Sequence, residues 1–89
     1  MKSRLIYNLH INNRFTTILN SLRDINRLKV VLAEQKRTNK WLAQSLRVTV
    51  GTVSKWCKNK SQPSLETLYD MAKELNVDIR ELLHPTKQS

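Results

Sequence analysis

The sequence predicts an all-α domain of five helices, preceded by an N-terminal extension. Eighty-nine residues of 39% apolar content suffice for one small domain. One Gly and two Pro leave few turn residues for a sheet-rich chain. From Ser21 onward, apolar residues recur at helical spacing, and each stripe follows a residue able to cap a helix.

The elements follow in order. Ser21, with Asp24 three residues on, is a start signal for a first helix running to about Lys36, its stripe being Ile25, Leu28, Val31 and Leu32. Thr38 caps a second helix with Leu42, Ala43 and Leu46 inward. Thr49 caps a third over about residues 50–58, with Val53, Trp56 and Cys57 inward. Two or three residues between these helices force a sharp corner, and Ala43 lies where they would meet. Pro63-Ser64 opens a fourth helix with Leu65, Leu68, Met71, Ala72 and Leu75, and Asn76 suits the left-handed residue after it. Asp78 and Glu81 form a capping box for a fifth, Val77 can staple onto Leu82, and Pro85 stops the chain.

The core predicted from these stripes is Leu28, Val31, Leu42, Ala43, Leu46, Val53, Trp56, Leu65, Leu68, Ala72, Leu75, Val77 and Leu82. Burial of each large aliphatic side chain contributes ~1.5–3 kcal/mol, which is enough in sum for a small helical domain. The expected organisation is residues 1–24 as the extension, 25–84 as the domain and 85–89 as a flexible tail. In the extension, Leu5, Tyr7, Leu9 and Ile11 alternate as in a short strand, Asn12-Asn13 can turn the chain, and Ile18, Leu22 and Ile25 have helical spacing. Its Lys2, Arg4, Arg14 and Arg23 meet no acid before Asp24. That composition fits a docking segment and an organelle transit peptide alike.

Charge narrows the function. The net charge is +9 and the isoelectric point about 10.2, which favours a polyanionic partner. Between Glu34 and Glu66 no acid occurs, while Lys36, Arg37, Lys40, Arg47, Lys55, Lys58 and Lys60 are all basic. After Glu66 the balance reverses, so the middle third reads as an anion-facing surface and the last third as a solvated back. The single Cys57 excludes an internal disulfide and a cysteine-based zinc cluster. No glycine-rich phosphate loop or Ser–His or Cys–His pair is present, so no enzyme activity, metal or cofactor is expected. No apolar run approaches the ~18 residues of a membrane span.

The stretch from Thr38 to Trp56, TNKWLAQSLRVTVGTVSKW, with Lys60-Ser61-Gln62-Pro63-Ser64-Leu65 and Ala72 to Val77 after it, resembles the helix-turn-helix of Cro/C1-type (XRE-like) repressors. The likeness covers roughly Asn26 to Leu83. It implies a five-helix, lambda-repressor-like DNA-binding domain whose third helix enters the major groove. By that resemblance Asn39 matches a phosphate-binding position, usually Gln, and Thr49 matches the cap of the recognition helix. Val50, Gly51, Thr52 and Lys55 match base-facing positions, while Lys58, Asn59 and Lys60 match the loop that grips the backbone. Lys40 joins Asn39, Thr49 and these three as an expected phosphate contact.

Three departures from the family pattern bear on the site. Arg47 stands where the turn usually has Gly, implying a strained left-handed residue or a different turn. Leu32 and Cys57 replace a common Arg and Glu pair, implying an apolar contact between the first and third helices. Val50 and Gly51 bring no hydrogen-bonding side chain, leaving thymine methyl contact, backbone approach and Lys55 for direct readout, with DNA shape as a supplement. Lys55 fits a guanine contact and a phosphate contact about equally. Trp56 shares the inward stripe, whereas Trp41 lies beside it and fits the domain edge or a DNA sugar.

The expectation is a cytoplasmic, sequence-specific regulator of transcription, a repressor, bound to double-stranded DNA as a homodimer. One rival keeps the fold but makes the chain an antitoxin whose extension binds a protein. Another is a protein-interaction module whose basic face meets an acidic partner.

Overall fold

The computed structural model describes residues 24–87. Four α-helices follow one another, α1 (Leu28–Gln35), α2 (Asn39–Leu46), α3 (Val50–Cys57) and α4 (Leu65–Leu75), and a single 3-10 turn (Ile79–Leu82) closes the domain. The first three are only eight residues long. Helices this short are marginal alone, so tertiary packing holds them. α2 packs on α3 and α4, α1 on α3, and the 3-10 turn on both α4 and α1.

Local capping chemistry explains most boundaries. Thr38 Oγ1 accepts the Trp41 N–H at 3.0 Å, Thr49 Oγ1 accepts the Thr52 N–H at 3.1 Å, and Ser64 Oγ accepts the Thr67 N–H at 3.0 Å. Each bond satisfies one of the backbone donors that a helix start leaves without a partner. Asp78 and Glu81 close the capping box, with the Arg80 N–H 2.8 Å from Asp78 Oδ1. The fifth helix expected there is the 3-10 turn, because Leu83 already returns to extended backbone at φ −127°. Hydrogen bonds from Arg80 hold the exposed Asp78 carboxyl below its ordinary range, so this contribution is present at neutral pH and is lost in acid.

The helix ends share one device. Lys36, Arg47, Asn59 and Asn76 all take left-handed backbone, with φ of 56°, 59°, 56° and 54°. In each case the following N–H reaches back five residues, as with Arg37 to the Leu32 carbonyl and Val48 to the Ala43 carbonyl. These are Schellman closures built without glycine. Asn tolerates the conformation, whereas Lys36 and Arg47 bear a β-carbon cost. Arg47 is therefore the strained left-handed residue anticipated for the corner. Lys36→Gly is expected to raise stability by ~0.5–1 kcal/mol, read as an increase in thermal midpoint of several degrees.

The first helix begins later than its periodicity predicts. Ser21 lies outside the described residues, and Ile25 is 45% exposed. Asn26 forms an isolated antiparallel bridge with Leu83, fixed by Arg27 N–H to the Leu82 carbonyl at 2.8 Å and His84 N–H to the Ile25 carbonyl at 2.9 Å. Those backbone groups are committed to the C-terminal segment, so the helix starts at Leu28. The Leu28 N–H finds the Asn26 side-chain oxygen at 3.0 Å.

The core comprises Leu28, Val31, Leu32, Leu42, Ala43, Val53, Trp56, Leu68, Met71, Ala72, Leu75 and Leu82. Leu32 and Met71 join it from their predicted stripes, whereas Leu46 and Val77 pack half-buried at its edge. Leu65 does not belong to it: in the first turn of α4 it is 76% exposed. Leu32 is buried and Cys57 packs against the same cluster, giving the apolar contact between α1 and α3. The strand, turn and helix expected before Asp24 lie outside the described residues, as do Gln88 and Ser89 at the end of the expected tail.

Candidate nucleic-acid interface

α3 has one face committed to the core and one open. Val53 and Trp56 are buried, while Val50, Gly51 and Lys55 are exposed and Thr52 is half-buried beside its cap. The Thr49 and Thr52 hydroxyls lie 2.9 Å apart. Since Thr49 Oγ1 also accepts the Thr52 N–H, a hydrogen bond from Thr52 leaves the Thr49 hydroxyl proton free to point outward.

Gly51 is the one glycine of the chain, and the fold does not require it. It has no left-handed φ, and an added β-carbon would meet only Thr49 Oγ1, at an ordinary 3.8 Å. A helical Gly costs up to ~1 kcal/mol relative to Ala. The missing side chain leaves the outer surface of α3 low at this point.

The electrostatics of the two helix starts match this open face. Neither α2 nor α3 carries an acid in its first turn, whereas α4 has Glu66 and the 3-10 turn has Glu81. Beyond the Trp41 and Thr52 N–H groups held by the Thr38 and Thr49 caps, the N-terminal N–H groups of α2 and α3 are thus open to anions. A groove of about 290 Å³ between α1, the start of α2 and the end of α3 brings together Asn39 and Lys58 with Lys29, Arg37 and Ser54. Lys40 and Lys60 are exposed nearby in sequence, on α2 and on the loop after α3. Arg37 lies over the Trp41 ring, 4.3 Å from its centre, and Trp41 itself is half-buried against the core. Arg47 lines a different cleft, together with Asp70 and Glu74 of α4.

Asn59 lies inside the domain. It is buried, and its Oδ1 accepts the Ile25 N–H, the Asn26 N–H and the Gln62 side-chain amide at 2.9, 3.0 and 2.9 Å. Its Nδ2 donates to the Asn26 carbonyl at 3.1 Å. Its oxygen is fully used and the side chain is buried, so it is turned into the domain and away from the surface. Lys29 and Arg37 were not among the expected site residues: Arg37 belongs to the acid-free run, but nothing local to α1 marks Lys29 as facing this groove.

Cys57 is half-buried, with its Sγ 3.5 Å from Asn39 Oδ1. Burial pushes its thiol pKa up, against a smaller opposing pull from Lys29. It therefore remains a protonated packing residue at neutral pH. Among the described residues no His, Cys, Asp and Glu side chains gather to hold a metal, and no helix is long and apolar enough to cross a membrane.

The helix-turn-helix family model matches residues 28–82, which runs from the first residue of α1 to the last of the 3-10 turn. The chain belongs to the XRE-type helix-turn-helix family. Within that family's architecture α2 and α3 are the paired helices, joined through Arg47, Val48 and Thr49. A crystal structure of a candidate DNA-binding protein from Bacteroides fragilis is 55% identical over 67% of this chain and 97% of its own, with a TM-score of 0.67. No curated protein matches the sequence significantly.

Proposed function

We propose that this helix-turn-helix protein is a sequence-specific, double-stranded DNA-binding regulator of transcription that inserts α3 into the major groove. The observation that carries the reading is the open face of α3, where Val50, Gly51 and Lys55 are exposed around a glycine that the fold does not use. Gly51 admits close approach of the backbone to the base edges, and Val50 meets a thymine methyl. Lys55 donates to a guanine, and Thr52 borders the same surface. Asn39, Lys40, the Thr49 hydroxyl, Lys58 and Lys60 take phosphates, with Lys29 and Arg37 alongside Asn39 and Lys58 in the groove. Asn59 supports the loop and does not contact DNA.

Repression on this reading is steric: a homodimer spans two half-sites about one helical turn apart and covers the promoter. Such a regulator works in the cytoplasm, and on this reading residues 1–24 are the segment that meets the second subunit or a protein partner. The roles of Lys55 and Lys58 separate experimentally. Lys55→Ala is expected to relax preference at one base pair by ~1–3 kcal/mol, while Lys58→Ala weakens all sequences alike and lowers the salt slope by ~1. Titrations of both variants against a matched and a single-mismatch duplex test this. Equal, sequence-independent losses from both would contradict base readout by Lys55 and leave a purely electrostatic face.

A further inference from the structure

The loop carrying Lys58 and Lys60 leaves α3 through left-handed Asn59 and runs to Pro63, and three side-chain amides close it from behind. Asn59 Oδ1 gathers the Ile25 and Asn26 N–H groups and the Gln62 amide. Asn26 Nδ2 donates to the Gln62 Oε1 at 2.7 Å and to the Trp56 carbonyl at 2.9 Å, in the last turn of α3. Asn26 Oδ1 in turn holds the first N–H of α1. Asn26 and Asn59 are both buried, and each amide pairs with groups more than 30 residues away in sequence. Ladder bonds then tie Ile25 and Arg27 to Leu82 and His84. The basic loop is thus stapled to the segment where the chain enters the domain and, through it, to the segment where it leaves.

We propose that Asn26, Asn59 and Gln62 are positioning residues for DNA binding: their network fixes where Lys58 and Lys60 stand relative to α3. The inference rests on the DNA-binding reading above. Left-handed backbone at residue 59 needs only a Gly or an Asn, so the turn alone does not account for the hydrogen bonds the side chain makes. Two lysines on an unsupported loop would still attract a duplex, but they would not hold phosphates in register with the bases that α3 reads. Because the network ends on Ile25 and Asn26, displacement of the segment just before α1 would release the loop.

The decisive variant is Asn59→Gly in the full-length chain, which keeps the left-handed turn and deletes the staple. Binding to the best duplex is measured across salt, at a temperature where circular dichroism shows the variant fully folded. The salt slope is expected to fall by ~1–2 as one or two phosphate contacts are lost. In the Asn59→Gly background, Lys58→Ala and Lys60→Ala should then cost under half the fold-loss they cause in the wild type. Gln62→Ala, at the rim of the network, should move the slope the same way by a smaller amount. A merely structural role would lower the thermal midpoint while leaving the slope and both lysine effects unchanged, and that result overturns the proposal. Wild-type protein that binds no duplex would instead defeat the DNA-binding reading itself.

Discussion

Gly51→Ala is expected to separate stability from binding, raising one while lowering the other. The β-carbon enters open space, with Thr49 Oγ1 at 3.8 Å as its one neighbour within the domain. Replacing a helical Gly by Ala removes unfolded-state entropy, so the fold should gain up to ~1 kcal/mol in a denaturant titration. The same methyl group stands on the surface proposed to approach the bases. Affinity for the best duplex should fall roughly tenfold for Gly51→Ala and a hundredfold or more for Gly51→Leu, since each 1.4 kcal/mol of lost contact is tenfold. Unchanged affinity in Gly51→Leu would mean that α3 does not lie against DNA at this residue.

Asn59→Ala is expected to be among the most damaging single changes in the domain. Ala pays the left-handed backbone cost of ~1–2 kcal/mol that Asn and Gly largely avoid. It also removes the acceptor of the Ile25 and Asn26 N–H groups, and the Asn26 group lies in the buried part of the network. A buried donor left without a partner costs ~1–3 kcal/mol. A total near 3 kcal/mol is a large share of the stability of so small a domain, and the thermal midpoint should drop by more than about 10 °C. Asn59→Gly, free of the backbone cost, should lose about half as much. If Asn59→Ala melts within a few degrees of the wild type, the network does not hold the fold together.

What the sequence shows and what it hides follow from the range of the interactions. The Thr38, Thr49 and Ser64 caps and the Asp78–Glu81 box each join residues at most three apart, and each is legible as a local pattern. Left-handed Asn76 is legible for the same reason. The start of α1 is not, because it depends on a bridge from Asn26 to Leu83 across the whole domain. Leu65 misleads because periodicity gives the face of a helix but not how far its first turn is covered. At the site, the acid-free run and the exposed side of α3 are readable in sequence. Asn59 is not, since its principal partners lie 33 and 34 residues away and its neighbours in sequence are the lysines of an exposed loop. Lys29 likewise joins Asn39 and Lys58 only through packing of α1 on α3.

On the proposed function, α3 reads base sequence. The most direct test is selection of bound duplexes from a random DNA pool by the full-length protein, with each round repeated across salt. An enriched motif of two-fold symmetry is expected, with half-site centres about one helical turn, ~34 Å, apart, and preferences that change at one position in Lys55→Ala. A steep salt dependence of about −0.9 per phosphate neutralised, with no motif emerging, would contradict it and leave only backbone attraction to the basic face.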